Sequence, residues 1–178
     1  MPDRSLHDFD VVALFDAMDA QRAARGLSWQ GVSGELWGLS AELNRRRNDH
    51  PISPSTLTGM RRRRATSCQH ALFVLRWLDR APESFLTGET RWSRDATLPT
   101  AGPDRRLRWT LRRLSAVLEA ERHATGLTWP RLASLLSCTP SQLTGLRTAR
   151  FAADMNLAMR IVQWLDRPAG DFIDAARW

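Results

Sequence analysis

Two short segments of this chain place hydroxyl, amide and guanidinium groups at helical spacing with no carboxylate among them. One holds Pro54, Ser55, Thr56, Thr58, Gly59 and Arg61; the other holds Pro140, Ser141, Gln142, Thr144, Gly145, Arg147 and Thr148. In the second segment Leu143 and Leu146 form a narrow apolar stripe, which turns the polar positions outward on a helix. A solvated helix face usually carries Glu and Lys. Short hydroxyls instead let a helix sink into a DNA major groove, where acids would repel phosphate. Gln pairs with an adenine edge, and Ser and Thr bond to either base type. These residues suit base recognition rather than catalysis.

Cations and indoles surround the two segments. Arg61, Arg62, Arg63 and Arg64 follow the first one directly. Each guanidinium can fork onto a phosphate with two hydrogen bonds; the plainer reading is a solvated helix end whose cations complement the dipole. With no acid interleaved, phosphate contact is the expectation. Arg45, Arg46 and Arg47 form either a wing reaching the backbone or a minor groove, or a disordered loop. Arg105, Arg106, Arg108, Arg112 and Arg113 line a DNA backbone path or make a solvated basic helix face. Trp29 and Trp129 each follow a helix N-cap, Thr128 in the second case. Their indole N–H groups can donate to phosphate beside the free backbone N–H groups of a helix start; a core role is equally open. Trp77 and Trp164, in VLRWLDR and IVQWLDR, are expected in the core. Trp92, Trp109 and Trp178 carry no assignment from sequence.

Other chemistries lack their residues. Cys68 and Cys138 supply neither a disulfide framework nor a zinc site, and Cys138 is expected as a small buried turn residue. His7, His50, His70 and His123 show no metal spacing. There is no Gly-rich phosphate loop and no nucleophile–base pair. No enzyme activity, metal or cofactor is expected. The 178 residues hold 26 basic and 19 acidic side chains, net +7, and every basic one is arginine. Such a balance points to a polyanion. Residues 1–88 hold 12 Arg against 10 acids and residues 89–178 hold 14 against 9, so the charge is not one basic tail. An apolar content of 43% with 25% charged is globular. No apolar run nears the ~20 residues that span a bilayer. The N-terminus lacks the basic and apolar stretches of a secretory signal. The expectation is a reduced, cytoplasmic protein without a membrane partner.

The chain repeats itself, which sets its organisation. Asp16–Trp29 aligns with Ala116–Trp129 at an offset of 100, with six of fourteen positions identical. Ser53–Arg61 aligns with Thr139–Arg147 at an offset of 86, six of nine identical, and Trp77–Phe85 with Trp164–Phe172 at 87, five of nine identical. Each half is one copy of a single unit: residues 1–88, and residues 105–178. Copy one carries 14 extra residues within 37–52. Residues 89–104, rich in Thr, Pro and Gly and without periodicity, read as a linker. Fully extended at ~3.3 Å per residue, that boundary reaches roughly 50 Å.

The periodicity predicts helices throughout. In copy two, Leu107, Leu111, Leu114, Val117 and Leu118 follow helical spacing, and Gly126 closes that helix as a C′ glycine. Thr128 caps a short second helix with Leu132, Ala133, Leu135 and Leu136 on its inner face. Thr139 caps a third with Pro140 at its first position. Ile161, Val162, Trp164 and Leu165 belong to a later helix, and Phe172 and Ile173 to the last. No stretch alternates with period two, so no sheet is expected. The fold class is all-α: two tandem bundles of about five helices each.

A short helix, a tight turn and a second capped helix form a helix-turn-helix pattern. The blocks GLTWPRLASLLSCTPSQLTGLRTAR and GLSW…SPSTLTGMRRRR resemble the core of phage-repressor-like regulators, the lambda-repressor/XRE family. Trp29 and Trp129 stand where that family has Gln, and Ser137 where it has a turn glycine. The resemblance implies that the third helix of each copy enters the major groove. Pro54, Ser55, Thr56, Thr58 and Gly59 would read bases in copy one with Arg61 towards the backbone; Pro140, Ser141, Gln142, Thr144 and Gly145 would do so in copy two with Arg147. The expectation is a sequence-specific regulator of double-stranded DNA, by default a repressor, with both readers in one monomer, although a homodimer stays open. Because the two faces differ, its site should be asymmetric or two unlike boxes. A small-molecule ligand is not expected, since no domain lies beyond the two copies. An antitoxin-like protein-interaction module and a non-specific nucleic-acid binder are the rival classes.

Overall fold

A computed structural model describes residues 5–148 and 153–177; Trp178 lies outside them. The protein is mostly helical with a two-stranded sheet. Copy one contains α1 (Val11–Ala24), α2 (Trp29–Gly38), α3 (Ala41–Asn44), α4 (Pro54–Arg63) and α5 (Cys68–Leu78), then a 3₁₀ turn, Pro82–Phe85. Copy two opens on strand β1 (Arg106–Trp109) and continues with α6 (Leu111–Ala124), α7 (Trp129–Leu135), α8 (Pro140–Thr148) and α9 (Met155–Trp164). A 3₁₀ turn, Ala169–Phe172, and strand β2 (Ile173–Ala176) close it.

Local chemistry sets the helix starts. The side chains of Asp10, Ser28, Ser53, Ser67, Thr128 and Asp154 each accept from the backbone N–H three residues on, satisfying a donor the helix leaves unpaired. Gly26 and Gly126 follow α1 and α6 at φ +63° and +68°, a conformation that closes a helix without a Cβ penalty.

The repeat in the sequence is a repeat in space. Helices α1 and α6 begin and end 100 positions apart, and the two 3₁₀ turns stand 87 apart. Their cores match residue for residue. Leu14, Met18, Val32, Leu36, Leu57 and Met60 are buried in copy one; Leu114, Leu118, Leu132, Leu136, Leu143 and Leu146 are buried in copy two. Each such side chain contributes about 1.5–3 kcal/mol when removed from water. Polar details repeat as well. Arg22 bonds the Leu27 carbonyl at 2.9 Å and lies over Trp29; Arg122 bonds the Leu127 carbonyl at 2.6 Å and lies over Trp129. Asp10 N–H donates to the Phe85 carbonyl at 2.7 Å, as Thr110 N–H does to Phe172 at 2.8 Å.

The two copies meet through reciprocal contacts. Ser67 and Asp154, both helix caps, pair as an antiparallel bridge. Beside it Cys68 N–H donates to Ala153 at 2.8 Å and Met155 N–H to Thr66 at 3.0 Å. Adding 87 to Thr66, Ser67 and Cys68 gives Ala153, Asp154 and Met155, so the bridge maps onto itself when the copies exchange. The flanks repeat more loosely, with equivalent helix positions meeting different residues of the other copy's N-terminal segment. Asn156 of α9 accepts from Phe9 N–H at 2.8 Å, and its counterpart Gln69 of α5 donates to the Leu107 carbonyl at 3.2 Å. Gln163 brackets the His7 backbone with two 2.8 Å bonds, while its counterpart Arg76 grips the carbonyls of Ala101, Gly102 and Arg105. Each copy lays its α5-type helix on the N-terminal segment of the other, the arrangement of an isologous dimer interface within one chain.

The structure departs from the sequence expectations at several places. Leu135, expected on the inner face of α7, is 43% exposed, while Leu132, Ala133 and Leu136 are buried. Arg106–Trp109 and Ile173–Ala176 form an antiparallel sheet with Trp109 opposite Ile173, so Leu107 belongs to a strand and Ile173 to no helix. The strands are four residues long, too short for an alternation to register. In copy one the same place holds a single bridge, Phe9 to Leu86. Residues 89–104 form no helix or strand, yet they are pinned to both copies. Arg91 pairs with Asp166 at 2.9 Å, and the Pro103 carbonyl accepts from Glu42 and Leu43 of α3. Lastly, α3 and the turn after it dock on copy two: the buried Ser40 hydroxyl donates to the Arg105 carbonyl at 2.7 Å.

Candidate nucleic-acid interface

Helices α4 and α8 each bury two side chains, Leu57 with Met60 and Leu143 with Leu146. That leaves Ser55, Thr58 and Arg61, and likewise Pro140, Ser141, Gln142, Thr144, Arg147 and Thr148, exposed; Pro54, Thr56, Gly59 and Gly145 are half-buried. The sequence-derived sets therefore fall on two outward faces, and neither face carries an acid.

The turns before them differ. In copy two, Ser137 takes φ +52°, the left-handed region that costs a non-glycine residue roughly 1–2 kcal/mol. Cys138 N–H then closes the turn on the Ala133 carbonyl at 2.9 Å, and Cys138 is half-buried. In copy one the insert intervenes, and the buried Ser33 hydroxyl reaches across it to the Ile52 carbonyl. The same α-helical pair is thus kept by a hydroxyl where the backbone has been lengthened.

Hydrogen bonds refine several roles. Gln142 Oε1 accepts from Thr139 N–H at 2.8 Å and from its hydroxyl at 3.2 Å, while Gln142 N–H donates to Thr139 Oγ1. This is a reciprocal capping box, a structural duty for the side chain that sequence assigned to an adenine edge. In α4 the hydroxyls of Ser53, Ser55 and Thr56 are within 2.9 Å of one another through Ser53. Arg61 pairs with Asp16 at 3.0 Å and covers Phe15. Arg63 does not run out to solvent past the helix end. It turns back along α4, donates to the Thr56 carbonyl at 3.0 Å, and lies so close over Gly59 that a Cβ there would strike its guanidinium. Sequence grouped Arg63 with the phosphate contacts; the fold lays its guanidinium along the polar face of α4. The signal was an arginine four residues after a helical glycine. Arg62 and Arg64 are exposed at the end of the helix.

Trp29 and Trp129 are half-buried plates. Trp29 stacks on Phe15 at 5.4 Å with Arg22 over it at 4.9 Å, and Arg122 covers Trp129 at 4.6 Å. The Thr128 hydroxyl is spent on Arg131 N–H. Trp77 is buried and bonds Glu35 at 2.8 Å; Trp164 is half-buried; Trp109 is in the core.

The two other arginine groups separate. Arg45 and Arg46 are exposed, whereas Arg47 pairs with Asp49 at 2.5 Å. Arg105, Arg106 and Arg108 do not share a helix face with Arg112 and Arg113. Arg106 is 5% exposed, stacked on Trp37 and Phe73 and bonded to Asn44 at 2.7 Å and Asp49 at 3.2 Å. Arg113 pairs with Asp174 at 3.0 Å; Arg112 is exposed.

Among the described residues no helix is long and apolar enough to cross a membrane. No family model, curated protein or solved structure matches the chain.

Proposed function

We propose that the chain is a sequence-specific double-stranded DNA-binding regulator, in which α2 with α4 and α7 with α8 act as two helix-turn-helix readers. The observation that carries this reading is the pair of exposed, acid-free helix faces on α4 and α8, repeated in a chain of net charge +7. Short hydroxyls and an arginine fork match base edges, and the arginines at the helix ends match phosphate.

The junction sharpens the proposal. Helix α4 ends four positions before Ser67, the residue that bridges to Asp154. The readers are held by that junction rather than swung on a free 16-residue tether. A reciprocal junction presents them in opposite senses, as a symmetric dimer does on an inverted site. The expected site is two unlike boxes, inverted, at one spacing.

Selection of bound duplexes from a random library of ~40 bp, with the whole chain at near-physiological salt, tests this. Two unlike boxes in inverted orientation at a single spacing are expected. Direct repeats or freely varying spacing would refute the junction-held geometry. No enrichment, with retention that vanishes as salt rises, would refute sequence-specific binding altogether.

A further inference from the structure

The insert of copy one and the strand of copy two enclose an open cleft of about 490 Å³, within the size range of small-molecule sites. Its walls come from four places: Arg47 and Asp49 of the insert, Ser53 and Thr56 at the start of α4, His70 of α5, and Arg106 and Arg108 of β1. Three guanidiniums face one carboxylate. Asp49 is bonded by both Arg47 and Arg106 and is held below the usual carboxylate range, chiefly by the Arg47 hydrogen bond. The cluster keeps a net positive charge after that pairing. Arg106 is 5% exposed and its Nε has no hydrogen-bond partner among the described residues. Arg108 is shifted down, first by burial and then by the Arg106 and Arg47 charges. Arg47 and Arg106 share the single Asp49 carboxylate in a half-shielded space.

We propose that this cleft binds a small phosphorylated molecule, its phosphate seated among Arg47, Arg106 and Arg108 beside the Ser53 end of α4. Guanidiniums match phosphate oxygens bidentately, and the start of a ten-residue helix adds its dipole in the same direction. Arg106 is pre-positioned: Trp37 and Phe73 clamp its guanidinium at 4.8 and 5.4 Å, so little side-chain freedom is lost on binding. The sequence expectation of no small-molecule ligand rested on the lack of a third domain; this site is built inside the duplication, where one copy's insert meets the other copy's strand. Since Thr56 stands both in the cleft wall and on the α4 face, an occupied cleft would bias that face. The site itself does not depend on the chain binding DNA.

Calorimetric titration of the DNA-free chain with inorganic pyrophosphate tests the assignment. Expected is saturable binding of one pyrophosphate per chain, weakened tenfold or more in both Arg47→Gln and Arg108→Gln, with each variant's melting curve showing a folded protein. His70 provides a second readout. Burial, then the Arg63 charge, lowers its pKa, and a bound dianion must raise it, as histidine ring NMR shifts against pH would record. No saturable binding, or equal binding by wild type and both variants, overturns the proposal. If pyrophosphate does not bind while both variants lose DNA affinity with a shallower salt dependence, the cleft takes backbone phosphate, and the small-molecule assignment is overturned.

Discussion

Arg106→Ala tests whether the two copies are one folding unit. Arg106 belongs to the strand of copy two, but its partners belong to copy one: Asn44 at 2.7 Å, Asp49 at 3.2 Å, and the rings of Trp37 and Phe73. Removing one member of a buried ion pair costs about 3–5 kcal/mol because the other charge is stranded. Asp49 keeps Arg47 and is 31% exposed, which places the loss at the lower end. The cation–ring contacts add up to about 2 kcal/mol in a desolvated setting. Against this, the mutation relieves an Nε that has no partner among the described residues. The net expectation is a loss of about 3 kcal/mol, and at ~2–4 °C per kcal/mol for a chain of this size the melting point falls by roughly 6–12 °C. Arg106→Met keeps an apolar stem against the two rings without the charge, and should cost no more than about 1.5 kcal/mol. Scanning calorimetry and urea unfolding read both variants. The wild type should melt in one transition that moves as a whole. Two transitions with only one displaced, or a loss below about 1 kcal/mol in Arg106→Ala, would mean that the copies fold independently and that the junction does not hold the readers.

Three more outcomes are expected. Glu83 is buried at the junction, its Oε1 accepting from Ala169 N–H at 2.6 Å and its Oε2 without a partner among the described residues. Burial raises its pKa, so the folded state holds the proton to higher pH than the unfolded one, and stability falls as pH rises from the unfolded value, ~4.3, through the folded one. Glu83→Gln should therefore raise the melting point at pH 7–8, with the gain vanishing near pH 4; a constant gain would refute the burial argument. Arg63→Ala should erase preference for guanine at one position of copy one's box, about 1–3 kcal/mol of discrimination. Gly59→Ala, which displaces the Arg63 guanidinium, should do the same despite its better helix propensity; in binding competitions, equal loss on every sequence would make Arg63 a phosphate contact. Gln142→Ala should cost about 1 kcal/mol of stability through the capping box and relax one base of the other box. If only stability changes, as expected for Thr139→Ala, Gln142 is a cap and not a reader.

Periodic apolar residues, caps and glycines made the helices of copy two legible, because each signal is local. Thr128, Thr139 and Gly126 act within three or four residues of themselves. The repeat was legible because duplication preserves identity at equivalent positions. What escaped depends on distance. Four residues of strand beside a helix show no alternation, and only pairing with Ile173–Ala176 makes Arg106–Trp109 a strand. Arg106 read as one cation in a run because nothing local announces that Trp37 and Phe73, far away in the chain, will enclose it. The junction escaped for the same reason: the pairing of Ser67 with Asp154 exists only between the copies. Of the candidate interface, the polar faces were legible; the use of Gln142 in a capping box and of Arg63 over Gly59 was not.

The two proposed reading faces are closer to each other than the two copies as wholes. Pro54, Ser55, Thr58 and Gly59 match Pro140, Ser141, Thr144 and Gly145, and Thr56 against Gln142 is the single difference within the reading positions. Further along, Arg63 aligns with an alanine, residue 149. The junction is reciprocal, so asymmetry in the proposed DNA site must come from these side chains and from the insert rather than from the way the proposed readers are presented. Arg62 likewise aligns with Thr148, so Thr56→Gln with Arg62→Thr and Arg63→Ala should then give copy one the face of copy two. Ser53 caps α4 where Thr139 caps α8, so the new Gln can form the same box and the helix is kept. Selection with this chain should recover a site whose two halves are the same box inverted, at the spacing of the wild type. If the halves stay unlike, the insert, with Arg45 and Arg46 exposed on it, carries the discrimination of copy one. If the spacing changes, the faces do not act independently of the junction, and the assignment of specificity to α4 and α8 alone fails.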